Sequence, residues 1–403
     1  MTGLTSTPTA TVRAARAATY VIFGLNGLVF ASWAARVPAV AEILRLDPGA
    51  LGLLLLMTGL GSVIGLPLAG RIITRLGTAQ TIRCAWAMIA SALSVVAIAL
   101  HQDQLLPTGA ALFILGFAIG VWDVSQNIEG AEVERRLGYT IMPRFHAAFS
   151  GGAFVGALVG ALFGRIGVSL SVHLAIIVVV GSVIAVVCAR RFLPAGDAAH
   201  DVGASSDGAP ARSGWLEPRT LVIGLVVLGA AFTEGSANDW LAKAAVDGLG
   251  ASQAVGSALF AVFVLAMTAF RFAGSNLVDR LGRVTTVRIC LTASLIGLVV
   301  FVFSPDLVVA AIGAVFWGVG AALGFPLGMS AAADDPVRAA ARVSVVSTIG
   351  YGAFLLGPPV LGLLGDMVGV RRSLLLVGAV VVLSLLTVPA IRPPTTEAGG
   401  ARR

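Results

Sequence analysis

Apolar runs of span length recur along almost the whole chain, separated by short polar turns. A helix needs about 20 mainly apolar residues to cross the hydrocarbon of a bilayer. On that measure the sequence predicts twelve spanning helices, near 17–37, 50–70, 80–100, 107–129, 144–164, 171–190, 219–242, 253–273, 285–303, 307–329, 342–364 and 372–391. The connections are short except for 191–218, where Pro194, Gly196, Asp197, Ser205, Ser206, Asp207 and Pro210 make the one long polar stretch. Its composition predicts a flexible linker, and it divides six helices from six. The expected organisation is an all-α membrane protein: a tail over 1–16, a bundle over 17–190, the linker 191–218, a second bundle over 219–391 and a tail over 392–403.

Composition sharpens this picture. Of 403 residues, 57% are hydrophobic and 12% charged, where a soluble domain carries about a quarter charged residues. A net charge of +7 raises the question of nucleic acid, but the basic residues do not cluster with interleaved aromatics, so the bilayer is the expected partner and nucleic acid is not. The arginines sit in alternate loops: Arg71, Arg75 and Arg83, then Arg135, Arg136 and Arg144, then Arg190, Arg191, Arg212 and Arg219, with Arg280, Arg283, Arg288, Arg338, Arg342 and Arg392 in the second half. The other loops hold fewer, among them Arg36, Arg45 and Arg165. The positive-inside rule then places both termini in the cytoplasm of an inner-membrane protein. Arg13 and Arg16 precede a full-length span ending in Arg36-Val-Pro38, which reads as a retained helix and not a cleaved signal. Cys84, Cys188 and Cys290 are odd in number and allow no disulfide framework or metal spacing. No nucleotide loop, metalloprotease motif or hydrolase elbow is present, so no enzyme activity, metal or cofactor is expected.

Polar residues inside spans are the informative exceptions. In Leu112–Glu129 the positions Gly116, Gly120, Asp123 and Asn127 share one helical face, with Gln126 beside them. An ionisable group at that depth costs about 2.5–3.5 kcal/mol on insertion scales and commonly marks an ion or substrate path; pairing with an arginine nearer the interface is the other reading. In the seventh span Glu234 and Asn238 share a face, while Asp239 falls about 140° further round an α-helix and need not share a chamber with them. Glu234 is expected to titrate together with Asp123; bonding to a kinked backbone beside Gly235 is the alternative. Asn26, Phe30 and Trp33 line up on the first helix and suit a ligand ring, although an interfacial anchor explains Trp33 equally well. Gly152, Gly156, Gly160 and Gly164 make a small-residue stripe for close helix packing. Gly357-Pro358-Pro359 predicts a break or kink in the eleventh span.

The two halves repeat. Gly70-Arg-Ile-Ile-Thr-Arg-Leu-Gly77 aligns without a gap on Ser275-Asn-Leu-Val-Asp-Arg-Leu-Gly282, a register that pairs Thr81 with Thr286. Parallel repeats around a polar linker are a transporter pattern. In the loop pattern Gly-x-x-x-Asp-Arg-x-Gly-Arg, which the second copy matches from Asp279 to Arg283 and the first at Gly70, Arg75 and Gly77, the chain over 17–391 resembles the major facilitator superfamily. The resemblance implies alternating access around a central site walled by helices one, four, five, seven, ten and eleven. It also implies loop latches, at Gly70, Arg71, Arg75 and Gly77 in the first half and at Asp279, Arg280, Gly282 and Arg283 in the second. Thr74 stands where the first latch should have an acid. Asp123-Val-Ser-Gln-Asn127 and Glu234-Gly-Ser-Ala-Asn-Asp-Trp240 are similar to stretches in the fucose-permease-like branch, whose sugar symporters carry an acid in the first helix where this chain has Asn26. The implied function is a monomeric secondary transporter of a small organic solute, with the proton as coupling ion and sugar-like uptake favoured. Proton-driven export of amphipathic compounds is the alternative, and a non-transporting sensor is the rival of another class.

Overall fold

A computed structural model describes residues 10–139, 141–193, 212–335 and 338–393; most of the expected linker and the outermost parts of both tails lie outside them. Eleven helical stretches are long and apolar enough to cross a bilayer, and Pro48–His101, with 54 residues, bends at Gly77 and makes two crossings of one. The twelve are α1 (Ala10–Ala34), α2 (48–76), α3 (78–101), α4 (Leu105–Leu137), α5 (Met142–Arg165), α6 (Leu170–Ala189), α7 (Pro218–Leu249), α8 (253–281), α9 (283–303), α10 (Leu307–Ala332), α11 (Ala339–Val368) and α12 (Val370–Ile391). No strand occurs among the described residues. The first helix begins at Ala10, within the stretch expected to be tail, and carries Arg13 and Arg16 on its opening turns.

Four of the six helices entering from the face opposite the chain ends share one device; α4, behind Gln104, and α12, behind Gly369, begin without it. Asp47, Ser169, Ser252 and Asp306 each cap the helix that follows, their side-chain oxygens accepting the free first-turn N–H groups. Within each half, glycines bring backbones into contact, because lipid gives apolar side chains no reason to prefer protein and association must come from close packing. A Cβ on Gly152 would lie 1.9 Å from the Gly24 carbonyl oxygen, and one on Gly116 would lie 1.9 Å from that of Thr58. Gly156 meets Leu28, and Gly160 meets Ala35, so most of the stripe on α5 is an α1 contact; Gly164 reaches Ala254 of α8.

The halves meet along α2 with α11 and α5 with α8. The Gly49 N–H donates to Asp366 Oδ1 at 3.0 Å, the Ser257 hydroxyl to the Ala35 carbonyl and the Gln253 amide to Glu42. Gly52 packs on the backbone of Pro358 and Pro359, and Gly362 on Pro48. All of these contacts lie toward the face opposite the chain ends. Among the described residues no hydrogen bond joins the halves at the face bearing those ends. Helix α11 runs through Pro358 and Pro359 without the break that Gly357-Pro358-Pro359 allowed as one of its two readings. The carbonyl of Phe354, which Pro358 cannot bond, instead lies beside Gly59, where no side chain intervenes.

The internal repeat is visible in the backbone. Gly77 (φ 73°, ψ 163°) and Gly282 (φ 75°, ψ 163°) turn the chain identically, in a region open to glycine. Thr81 Oγ1 donates to the Gly77 carbonyl at 2.7 Å and Thr286 Oγ1 to that of Gly282 at 2.9 Å. The same register superposes Thr78 on Arg283 and Glu129 on Asp334. In the first half Thr78 Oγ1 donates to Glu129 Oε2 at 2.7 Å; in the second, Arg283 makes a bidentate pair with Asp334 at 2.8 and 3.0 Å. Asp334 also accepts from Arg219 at 3.3 Å. The rest of each loop is freer. Arg71, Arg75, Asp279 and Arg280 are exposed, and Thr74 bonds back to the Gly70 carbonyl.

Candidate functional site

On α4, a run of hydrogen bonds leads to a carboxyl group. Trp122 Nε1 donates to Gln126 Oε1 at 3.0 Å, and Gln126 Nε2 donates to Asp123 Oδ1 at 2.9 Å. Asn127 Nδ2 is spent on the Asp123 backbone carbonyl at 2.7 Å. Gln126 is 1% exposed and, bonded to the Trp122 ring on one side, holds the Asp123 carboxyl on the other. Asp123 itself is partly exposed and lies within electrostatic range of the Tyr351 phenol on α11, across that interface.

On α7, Glu234 accepts from Arg271 of α8 at 3.0 Å, with side-chain exposures of 20% and 30% that leave the pair reachable by water. Arg271 Nε also donates to the Ala322 carbonyl at 3.0 Å. That carbonyl is free for a definite reason. Pro326 has no N–H to offer the residue four earlier, its ring crowds that carbonyl, and α10 is interrupted between Ala321 and Gly324. Arg271 therefore ties the acid of α7 to the break in α10. His146 of α5 lies within electrostatic range of Arg271 from the other half. Among the described residues no hydrogen bond or ion pair joins Glu234 to Asp123. Arg271 was not among the expected residues, although a lone arginine inside Ala-Met-Thr-Ala-Phe-Arg-Phe-Ala-Gly is a polar exception of the same kind as Asp123.

Further along α7, Ala237–Leu241 form a π-helical turn. Hydrogen bonds from i to i+5 widen the turn, so the 100° per residue behind the 140° separation expected of Glu234 and Asp239 does not apply across it. Asp239 reaches a cavity of about 50 Å³ whose wall includes Phe30 and Trp33 of α1, Thr58 of α2, and Leu115 and Ile119 of α4. A space of that size holds a few waters. The Thr58 hydroxyl is buried without a partner, and Asp239 makes no hydrogen bond or ion pair among the described residues. Asn26 (5% exposed) and half-buried Asn238 also make no side-chain hydrogen bond among the described residues. Phe30 packs toward Phe149 at 6.4 Å between ring centroids. Arg36, just beyond α1, is 4% exposed and donates to the Gly160 and Val168 carbonyls of the first half.

Two kinds of likeness bear on this arrangement. A family model described as Major Facilitator Superfamily matches residues 227–403. The chain is 32% identical over 373 residues to the uncharacterised transporter y4wD of Sinorhizobium fredii, covering 92% of this chain and 96% of that protein. It is 31% identical over 376 residues to an uncharacterised MFS-type transporter of Yersinia pestis, covering 92% and 93% respectively. Among solved structures, a point mutant of the nucleoside transporter NupG superposes with a TM-score of 0.79 at 16% identity, over 94% of this chain and 99% of that one. The human organic anion transporter MFSD10 gives 0.63 at 15% identity, over 93% and 99%. At such identities the superpositions establish the fold.

Proposed function

The chain belongs to the major facilitator superfamily, and on that premise we propose that it is a proton-coupled importer of a small polar organic solute, working by alternating access with both chain ends in the cytoplasm. Members of the superfamily are transporters and not enzymes, so the function must be sought in a path through the bilayer. One observation carries the reading: charged groups of both halves gather along their mutual interface while one end of that interface is sealed. Asp123 comes from the first half and the Glu234–Arg271 pair from the second, and such groups are tolerated at this depth when they line a wet path. The seal made by Gly49, Asp366, Gly52 and Pro358 then closes the outer side, which makes this an inward-facing state. The arginine asymmetry between alternate loops supports that orientation. Asp123, Glu234, Asn238, Asn26, Phe30 and Trp33 are the residues assigned to the solute and proton path, and the loops at Gly77 and Gly282 to gating.

The test begins with a thermal-shift panel of sugars, polyols, nucleosides and amphipathic amines at two pH values. The solute giving the largest shift is then loaded into proteoliposome assays. An acid-outside gradient should drive its accumulation, and Asp123→Asn should abolish accumulation while leaving exchange. Equal accumulation by the variant would refute the role of Asp123. An amphipathic amine as the best hit, moved against an acid-inside gradient, would favour export; the aromatic walls at Phe30 and Trp33 suit that second reading.

A further inference from the structure

We propose that the Asp239 carboxyl group, turned toward α1, α2 and α4 by the π-helical turn, is a proton-carrying site of the transport cycle, with the adjoining cavity as its water-filled antechamber. The proposal rests on the reading that transport is proton-coupled, and it names a carboxyl that reading did not use.

The three carboxyls along the path differ in their partners. Glu234 has the guanidinium of Arg271 at 3.0 Å, and Asp123 has the Gln126 amide at 2.9 Å. Asp239 has neither among the described residues, yet it sits in a helix of span length beside two aromatic rings and aliphatic walls. A carboxylate in such surroundings without a counter-charge is not maintained; the group neutralises.

Its neighbours offer no cation. Helix α1 presents Phe30 and Trp33, and its nearest charge, Arg36, is committed to the Gly160 and Val168 carbonyls. Helix α2 presents Thr58, whose unpartnered hydroxyl can bond either form of the acid. Helix α4 presents Leu115 and Ile119, with Asp123 one turn further on, and α8 brings Arg271, held by Glu234 and the Ala322 carbonyl. On its own helix Lys243 bonds Asp247 at 2.6 Å, away from Asp239. A cavity of about 50 Å³ admits waters and excludes an organic cation of drug size, and one carboxyl with one hydroxyl among apolar walls offers too few oxygens for a metal ion, so a proton is the positive charge this site takes. In the step itself, a carboxylate oxygen forms an O–H bond with a proton delivered by water on one side of the membrane. It returns that proton to water on the other side once the halves have re-aligned. The π-helical turn makes this placement possible, because with α-helical hydrogen bonds throughout α7 the same residue would face elsewhere.

The test uses the full-length protein in liposomes. First, infrared difference spectra between two pH values, in H₂O and D₂O, should show a protonated-carboxyl C=O stretch that Asp239→Asn removes and Glu234→Gln leaves in place. Second, with the solute selected by the thermal-shift panel, Asp239→Asn should exchange at the wild-type rate but lose accumulation under an imposed pH gradient. Asp239→Glu should restore part of that accumulation. Wild-type spectra and wild-type accumulation in Asp239→Asn would overturn the proposal while leaving proton coupling intact. Loss of exchange together with accumulation would mark a structural or solute-binding residue, and would also overturn it. A wild-type protein indifferent to the gradient would remove both the proposal and the reading beneath it.

Discussion

The Glu234–Arg271 pair lends itself to a double-mutant cycle, and the structure sets both its size and its asymmetry. Two unit charges about 4 Å apart attract by about 4 kcal/mol at an effective dielectric of 20. With side-chain exposures of 20% and 30%, the pair falls between the exposed limit of about 0.2–1 kcal/mol and the cost of about 3–5 kcal/mol for breaking a buried pair. A coupling energy of about 2 kcal/mol follows from those bounds. The two single changes are not equivalent. Arg271→Gln strands Glu234 and also removes the donor to the Ala322 carbonyl, which Pro326 has left without its helical partner. Glu234→Gln keeps an acceptor for Arg271 and leaves the tie to α10 in place. Arg271→Gln should therefore destabilise more, and the double variant should recover about 2 kcal/mol relative to the sum of the singles. Equilibrium unfolding in mixed detergent micelles, with tryptophan fluorescence as the signal, measures all four proteins. Additivity within about 0.5 kcal/mol would refute the reasoning, as would a larger effect of Glu234→Gln.

Two further predictions concern stability. Gly152→Ala should cost about 1–3 kcal/mol through overpacking, since its Cβ would meet the Gly24 carbonyl oxygen at 1.9 Å; Gly151→Ala, with open space around it, should be near neutral. Thermal unfolding of the two variants side by side checks this. Glu217, just before α7, is partly buried, which works to raise its pKa, but hydrogen bonds from Arg342, Arg338 and Thr220 outweigh that and hold the carboxyl below its ordinary range. Its contribution is therefore present above the unfolded-state value and is lost as pH falls through the lower folded-state value. Unfolding curves taken from neutral into acid should show a stability loss that is smaller in Glu217→Gln.

The sequence made some of this legible and hid the rest for physical reasons. The spans could be read because hydrocarbon thickness imposes their length, and the paired glycines at 77 and 282 because a left-handed turn admits few other residues. The polar face of α4 could also be read, but Gln126 and Asn127 are consumed within their own helix, and residue spacing alone cannot tell an amide facing a path from one bonding its backbone. The position of Asp239 was hidden because any count of degrees per residue assumes α-helical hydrogen bonds, and nothing in Ser-Ala-Asn-Asp-Trp announces an i to i+5 turn. Arg271 was open to view but belongs to a residue type first counted as a loop marker. Its role needed the three-dimensional fact that Pro326 frees a carbonyl opposite it. Asp334 needed its partner: only beside Arg283 does it emerge as the counterpart of Glu129.

That counterpart relation has a consequence of its own. Two corners built to one plan are fastened by different chemistry, one by a hydroxyl on a carboxylate and the other by a guanidinium on a carboxylate. With side chains only 9% and 14% exposed, the charged pair lies largely out of reach of dissolved ions, and taking away its acid would strand a guanidinium away from water. Taking away the acid at the other corner would strand only neutral donors, so the same change made in both copies of a duplicated part would be costly in one and mild in its sibling.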